Sequence, residues 1–210
     1  MIIVNFKNYK FEKQALALAK QIQKFLPKAI VCPPAIDLES LASKTKLKVF
    51  AQSTDPYETD RATGFNTLPA IKKAGATGTL INHSEHLLPM KDIYTLIKLS
   101  NKLNLKSLVC IPNLKNIKKI ISQKPWAIAF EDPKLISTGK SVTQYNPKAI
   151  LEFVKIMKRT KIIPICGAGI STAQDVKESY SLGCKGVLIA SAIAKPKNPL
   201  SLLKKIREVI

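Results

Sequence analysis

The sequence predicts a single α/β domain, a closed (β/α)8 barrel over residues 1–210, and three observations lead there. Eight short apolar runs rich in β-branched residues recur at 2–6, 29–32, 47–52, 78–83, 106–111, 126–131, 161–167 and 186–191. Runs that are apolar almost throughout read as strands covered on both faces, the mark of a parallel sheet under helices. Between them the apolar residues recur at helical spacing, and eight β/α units in 210 residues fit a closed barrel with short connections. An open doubly wound sheet more often carries a glycine-rich turn after its first strand; here that turn reads NFKNYK.

Taken in order, IIVNF is followed by a helix whose inner face is Ala15, Leu18, Ala19, Ile22 and Phe25. AIVC and LKVFAQ supply the second and third strands. GTLINH, the fourth, precedes a helix traced by Ile93, Leu96, Ile97, Ser100 and Leu103. KSLVCI and WAIAFE come next, and Asn146-Pro147 then opens a helix with Ile150, Phe153, Val154 and Met157 on one face, a capping side chain ahead of a proline at the first helical position. After KIIPICG, Ser171 and Thr172 precede a helix ending near Gly183. GVLIAS closes the series, with a helical turn near Ser191 and a last helix opened by Asn198-Pro199.

Composition narrows the function classes. No apolar run approaches the roughly 18–20 residues that span a bilayer, and the opening residues lack the order of a secretory signal, so a soluble, cytoplasmic protein is expected. Cys32, Cys110, Cys166 and Cys184 lie far apart with no C-x-x-C pair and no histidine spaced to complete a zinc site, so reduced core thiols and no metal are expected. The formal charge of +20, from 34 Lys and Arg against 14 Asp and Glu, invites a nucleic-acid reading. Along the chain, however, the lysines fall on nearly every polar helix face without aromatic interleaving, which reads as a solvated surface that also attracts small anions.

In such barrels chemistry forms at the C-terminal ends of the strands. Asn5 and Lys7 end the first run, and in an extended segment their spacing of two puts both on one face, aimed into the mouth. His83 ends the fourth run in Asn82-His83-Ser84-Glu85-His86, which holds both histidines of the chain. Glu131 ends the sixth. Each alone has an ordinary structural explanation; an amine, an imidazole and a carboxylate at the mouth ends of three strands are hard to explain as packing. Gly167, Gly169 and Ser171 after the seventh run, and Ala190 and Ser191 after the eighth, let backbone N–H groups approach an anion, the usual phosphate position of this architecture.

These residues resemble one family, triosephosphate isomerase, and within it the short archaeal form. The matching pieces are Asn5-Phe6-Lys7, Phe50-Ala51-Gln52, Gly75 to His86, Glu131 with its following loop, Cys166 to Ser171 and Gly186 to Ser191, collinear over essentially the whole chain. The resemblance implies a TIM barrel that interconverts dihydroxyacetone phosphate and glyceraldehyde 3-phosphate through an enediolate, in glycolysis and gluconeogenesis, without a cofactor. This family is itself the standard example for the barrel and for split pKa roles, so the roles are carried over from it. Glu131 is implied as the base, with neutral His83, Asn5 and Lys7 as donors to the developing oxyanion and Ser84 and Glu85 in support. Ile136, Ser137, Gly169, Ala190 and Ser191, with Lys7, are implied to hold the phosphate, under a lid formed by residues 132–139. Asp132 and Ser137 stand where the family has proline and glycine, Ala192 where it has glycine, and Leu87 where it has arginine.

The resemblance further implies a homo-oligomer, a tetramer as in archaea or a dimer as in the family more broadly. Another phosphate-binding barrel isomerase or aldolase is the nearest alternative, but such enzymes commonly show a Schiff-base lysine or paired acids at the mouth. A retired basic barrel that binds nucleic acid is the non-enzymatic one.

Overall fold

Among the residues that the computed structural model describes, 1–132 and 142–210, eight parallel strands close into a barrel in which each pairs with its sequence neighbours and β8 returns to β1. The strands are β1 (Ile2–Asn5), β2 (Ile30–Cys32), β3 (Lys48–Ala51), β4 (Gly78–Ile81), β5 (Lys106–Ile111), β6 (Ala127–Phe130), β7 (Ile163–Cys166) and β8 (Gly186–Ile189). The described helices are α1 (Glu12–Phe25), α2 (Leu38–Lys44), α3 (Leu68–Lys73), α4 (Met90–Lys102), α5 (Ile117–Ile121), α6 (Val142–Tyr145), α7 (Pro147–Met157), α8 (Ala173–Ser181), α9 (Ser191–Ala194) and α10 (Leu200–Glu208). Every expected strand is present, shorter by a residue or more at most ends because the last residues of several runs have left the ladder to serve the mouth.

Side-chain alternation divides the core into two layers. Ile3, Ile30, Phe50, Leu80, Leu108, Ala127, Ala129, Ile165 and Leu188 point inward and fill the barrel. Their sequence neighbours, among them Val4, Val49, Ile81, Val109, Ile128 and Val187, point outward against the helices. The expected helix faces are the buried ones: Ala15, Leu18, Ala19 and Ile22 on α1, Ile93, Leu96, Ile97 and Ser100 on α4, and Ile150, Phe153, Val154 and Met157 on α7. Each large aliphatic side chain so removed from water contributes about 1.5–3 kcal/mol.

Local chemistry starts the helices where it was read. Asn146 accepts the Ala149 N–H at 3.4 Å and Pro147 follows it. Thr172 and Asp175 form a reciprocal capping box on α8. At α10 the reading shifts by one residue: Pro199 is the cap, and Asn198 supports it by accepting the Leu200 N–H at 3.1 Å. The four cysteines are buried and free. No described helix is long and apolar enough to cross a membrane.

Inside the barrel, volume is shared tightly. Gly78 sits where a Cβ would lie 2.4 Å from the Lys106 carbonyl oxygen and 2.6 Å from the Phe50 ring, so the large phenylalanine depends on the absent side chain. Gly78→Ala is therefore expected to destabilise the fold by about 1–3 kcal/mol through overpacking, measurable as a lowered urea midpoint with unchanged slope; an unchanged midpoint would show that the barrel interior yields.

Candidate active site

Asn5, Lys7, His83, Glu131, Gly169, Ala190 and Ser191 line one cavity at the C-terminal mouth of the barrel, with Gly167, Ile170, Ser171 and Leu188. Ile136 and Ser137, and residues 133–139 of the expected lid, lie outside the described residues.

Asn5, the last residue of β1, is buried, and its Oδ1 accepts the Lys7 N–H at 2.9 Å. The extended-segment reading of this pair is corrected by the structure. Lys7 has left the strand and adopts φ 44°, a left-handed conformation that costs a non-glycine residue about 1 kcal/mol or more. Gln52 holds it there, its Nε2 donating to the Lys7 and Cys32 carbonyl oxygens at 2.9 Å each. The Lys7 ammonium donates to Glu85 Oε1 at 2.7 Å.

At β4 the chain breaks its own alternation. Leu80 points inward, so continued strand would direct residue 82 into the mouth and residue 83 away from it. Instead Asn82 takes φ 60°, its amide donates to the Cys110 carbonyl at 2.9 Å, and its Oδ1 accepts the Leu88 N–H at 2.9 Å. The turn delivers His83 to the cavity. His83 Nδ1 accepts the Glu85 N–H at 3.2 Å, so in the neutral ring the proton sits on Nε2 and is offered to the cavity. Burial holds the imidazole below its usual pKa, the Lys7 charge adds to this, and the Glu85 carboxylate partly opposes it.

Glu131 follows β6, its N–H bonded to the Ile111 carbonyl at 2.9 Å, and its carboxyl group is almost wholly buried. Burial pushes its pKa up to about 8, against the opposing pull of the Ser84 backbone N–H, the Lys7 charge and the Cys110 thiol. Glu131 Oε1 stands 3.7 Å from His83 Nε2. Because burial disfavours the charged form of both groups, this contact is not held as an ion pair; the carboxyl binds a proton more tightly than an exposed one does. Gly167 makes the position possible, since a Cβ there would lie 2.7 Å from Glu131 Cγ. Ser84 Oγ is buried, and among the described residues it has no hydrogen-bond partner.

The opposite wall suits an anion. Gly169 has φ 69°. Ser171 donates both its N–H and its hydroxyl to Asp175 Oδ2, at 3.0 and 3.2 Å, and the Thr172 N–H adds a third bond at 2.8 Å. That carboxylate pins the loop after β7. The first amides of α9, which begins at Ser191, have no acceptor within their own helix. Asp132 is tied to Asn146, whose Nδ2 donates to its Oδ2 at 3.2 Å, so the segment after β6 is joined to the cap of α7.

The sequence alone does not single out Gln52, Cys110, Ile170 and Leu188 as members of the site, and it assigns Gly167 to the anion-binding turn without its place beside Glu131. Gln52 and Gly167 lay inside motifs already singled out, and a glycine directly after a buried strand was the available signal. Cys110 touches the carboxyl only through the pairing of β5 with β6, where it faces Ala129.

The description of the triosephosphate isomerase family matches residues 1–206. A triosephosphate isomerase of Methanobrevibacter smithii is 37% identical over 97% of this chain and 95% of its own. That of Caldivirga maquilingensis is 39% identical over 94% of this chain and 92% of its own. The crystal structure of triosephosphate isomerase from Bartonella henselae superposes with a TM-score of 0.74 at 19% identity, covering 99% of this chain and 97% of that one.

Removing the Glu131 charge tests the burial argument directly. Between the ordinary carboxyl pKa of 4.5 and about 8 the folded protein keeps a proton that the unfolded chain has released, so stability falls as pH rises through that window. Glu131→Gln is expected to leave stability near pH 4.5 almost unchanged and to raise it at pH 8 by on the order of 2–4 kcal/mol. Thermal unfolding of both proteins across that range measures it; a constant difference would mean that the carboxyl titrates normally.

Proposed function

The chain belongs to the triosephosphate isomerase family, and from that premise we propose that its mouth cavity interconverts dihydroxyacetone phosphate and glyceraldehyde 3-phosphate with Glu131 as the base. The observation that carries this reading is a buried carboxyl 3.7 Å from an imidazole whose Nε2–H has been left to the cavity.

The proton to be moved lies beside a carbonyl and is weakly acidic. A carboxylate stripped of water is a stronger base than one at the surface, and Glu131 would take this proton and return it to the neighbouring carbon. As the proton leaves, charge moves to the carbonyl oxygen, where donors must already be in place. His83 would supply the first as a neutral ring, because an imidazole kept neutral offers its N–H without surrendering it. Asn5 and the Lys7 ammonium would complete the donors. Lys7 would also meet the dianionic phosphate, with Glu85 holding it until the substrate arrives.

The phosphate would lie against Gly169, Ala190 and Ser191, with Ile136 and Ser137 closing over it. A lid formed by residues 132–139 would exclude water and keep the enediolate from expelling its phosphate. Every step uses groups of this chain, and none calls for a cofactor.

Two further parts of the reading stand beside the chemistry. A cytoplasmic location is favoured by four buried free thiols. A homo-oligomer, tetrameric or dimeric, is favoured by Leu87, Phe65 and Tyr57, which are 65%, 47% and 39% exposed around the segments after β3 and β4. Sedimentation equilibrium should give two or four times the chain mass of 23.2 kDa; a monomer at micromolar concentration would remove the assembly from the proposal.

A coupled assay with glyceraldehyde 3-phosphate tests the function. Glu131→Asp withdraws the carboxylate by about one methylene and should lower kcat about 100-fold with little change in KM. Full turnover in that variant would take the base role from Glu131, and absence of activity in the unmodified protein would end the reading.

A further inference from the structure

The fold gathers many of the dispersed lysines at one end, although Lys10, Lys13, Lys91, Lys115 and Lys148 lie toward the other. Strands and helices run in opposite directions, so strand starts and helix ends share the end of the barrel away from the catalytic mouth. Six of the eight strands have a lysine at their first residue or within three residues before it: Lys28 for β2, Lys48 for β3, Lys106 for β5, Lys124 for β6, Lys161 for β7 and Lys185 for β8. Eleven of the 14 acids go the other way; Glu152 and Glu178 lie within helices, and Glu208 ends α10 at the lysine-rich end. Glu12, Asp37, Glu39, Asp92 and Asp175 lie in first helical turns, and Asp55, Glu58, Asp60, Glu85, Glu131 and Asp132 in segments that follow strands.

Helix dipoles explain part of this sorting, since cations favour the last turn of a helix, as Lys24, Lys44 and Lys155 do here. They do not explain the lysines at strand starts, beyond the reach of that effect. Nor are these six answered by carboxylates: among the described residues the Lys–acid pairs are Lys7–Glu85 and Lys102–Glu58.

The centre of this end is built from inner positions of the sheet. Lys48 and Lys106 stand two residues before Phe50 and Leu108, both of which point into the barrel, so the two lysines converge on its axis. Burial lowers the Lys106 pKa, and the nearby Lys48 charge lowers it further. The Lys106 ammonium also lies 4.9 Å from the centroid of the Trp126 ring, which is half-buried and packs edge-on against Phe50 at 5.6 Å. Two like charges held together without a counter-charge are costly, and an anion removes the cost.

We propose that the end of the barrel opposite the catalytic mouth binds the phosphate backbone of single-stranded nucleic acid, seated over Lys48, Lys106 and Trp126 and tracked by the surrounding lysines. The ring of six is too wide for one small ion and suits a flexible polymer with a charge at every unit. Trp126 adds a face on which a base can stack. An anionic membrane fits less well, because the large exposed apolar side chains of this end are Met1 and Ile210, whereas Phe11, Ile36, Tyr57, Phe65 and Leu87 lie in segments that follow strands.

Fluorescence anisotropy with a labelled oligouridine of about 20 nucleotides, longer than a typical single site, reads the binding across a salt series. The unmodified protein should bind at low salt and lose affinity steeply as salt rises. Lys48→Gln with Lys106→Gln, and separately Lys124→Gln with Lys161→Gln, should each weaken binding roughly tenfold and flatten the log–log salt slope by about 1.4, two contacts at about 0.7 each. Both residues of the second pair are exposed, so its result does not depend on packing around Trp126. Lys13→Gln with Lys148→Gln removes the same charge from the mouth ends of α1 and α7 and should change affinity less than about twofold. Isomerase activity should survive in every variant, and glyceraldehyde 3-phosphate should not displace the oligonucleotide. No binding at low salt, an equal loss from the Lys13/Lys148 pair, displacement by the triose phosphate, or capture of phosphatidylserine vesicles in place of the oligonucleotide would each overturn the proposal.

Discussion

Closure of eight parallel strands is the constraint on which everything else in this molecule rests. A parallel ring admits every strand from the same end and releases every strand at the other, so the residues that end apolar runs must meet, however far apart they lie in the chain. Asn5, His83 and Glu131 come from the ends of β1, β4 and β6, and the ladder brings them around one cavity. The same rule sends what precedes the strands to the opposite end, which is why a single topological fact organises both the catalytic mouth and the basic base of the barrel.

Burial then supplies the chemistry. The sheet could have neutralised its mouth with apolar side chains; instead it keeps a carboxyl group and an imidazole where water cannot solvate their charged forms. Desolvation moves Glu131 up and His83 down, so the one becomes a stronger base and the other remains a neutral donor. The backbone does the positioning. The Glu85 N–H selects the histidine tautomer, the Ser84 N–H donates toward the carboxylate and favours its charged form, and Gly167 leaves room for it. The left-handed turns at Lys7 and Asn82 are further costs accepted at this end, each held by a side-chain amide, from Gln52 in the first case and from Asn82 itself in the second.

The two ends differ in how charge is managed. At the mouth Lys7 is paired with Glu85 and the histidine is kept neutral, so local charge is balanced until an anion arrives. At the base the six lysines have no carboxylate partner among the described residues, and at its centre the Lys106 ammonium lies over an indole. Balanced charge can be exchanged for a substrate without gross repulsion; unbalanced charge is a standing attraction for a polyanion.

The sequence by itself determined the strand count, the helix faces, the caps at Asn146 and Thr172, and the amine, imidazole and carboxyl group that line the mouth cavity, because periodicity, capping and the placement of polar residues at the ends of apolar runs are local properties. Tertiary structure alone decided that Lys7 sits in a left-handed turn and not an extended segment, that Cys110 and Gly167 border the carboxyl group, that Asp132 is tied to Asn146, and that the lysines at six strand starts share one end of the barrel. Each of these depends on which strands are neighbours and which end of the barrel a segment occupies. Those relations arise when the ring closes, and no window of consecutive residues contains them.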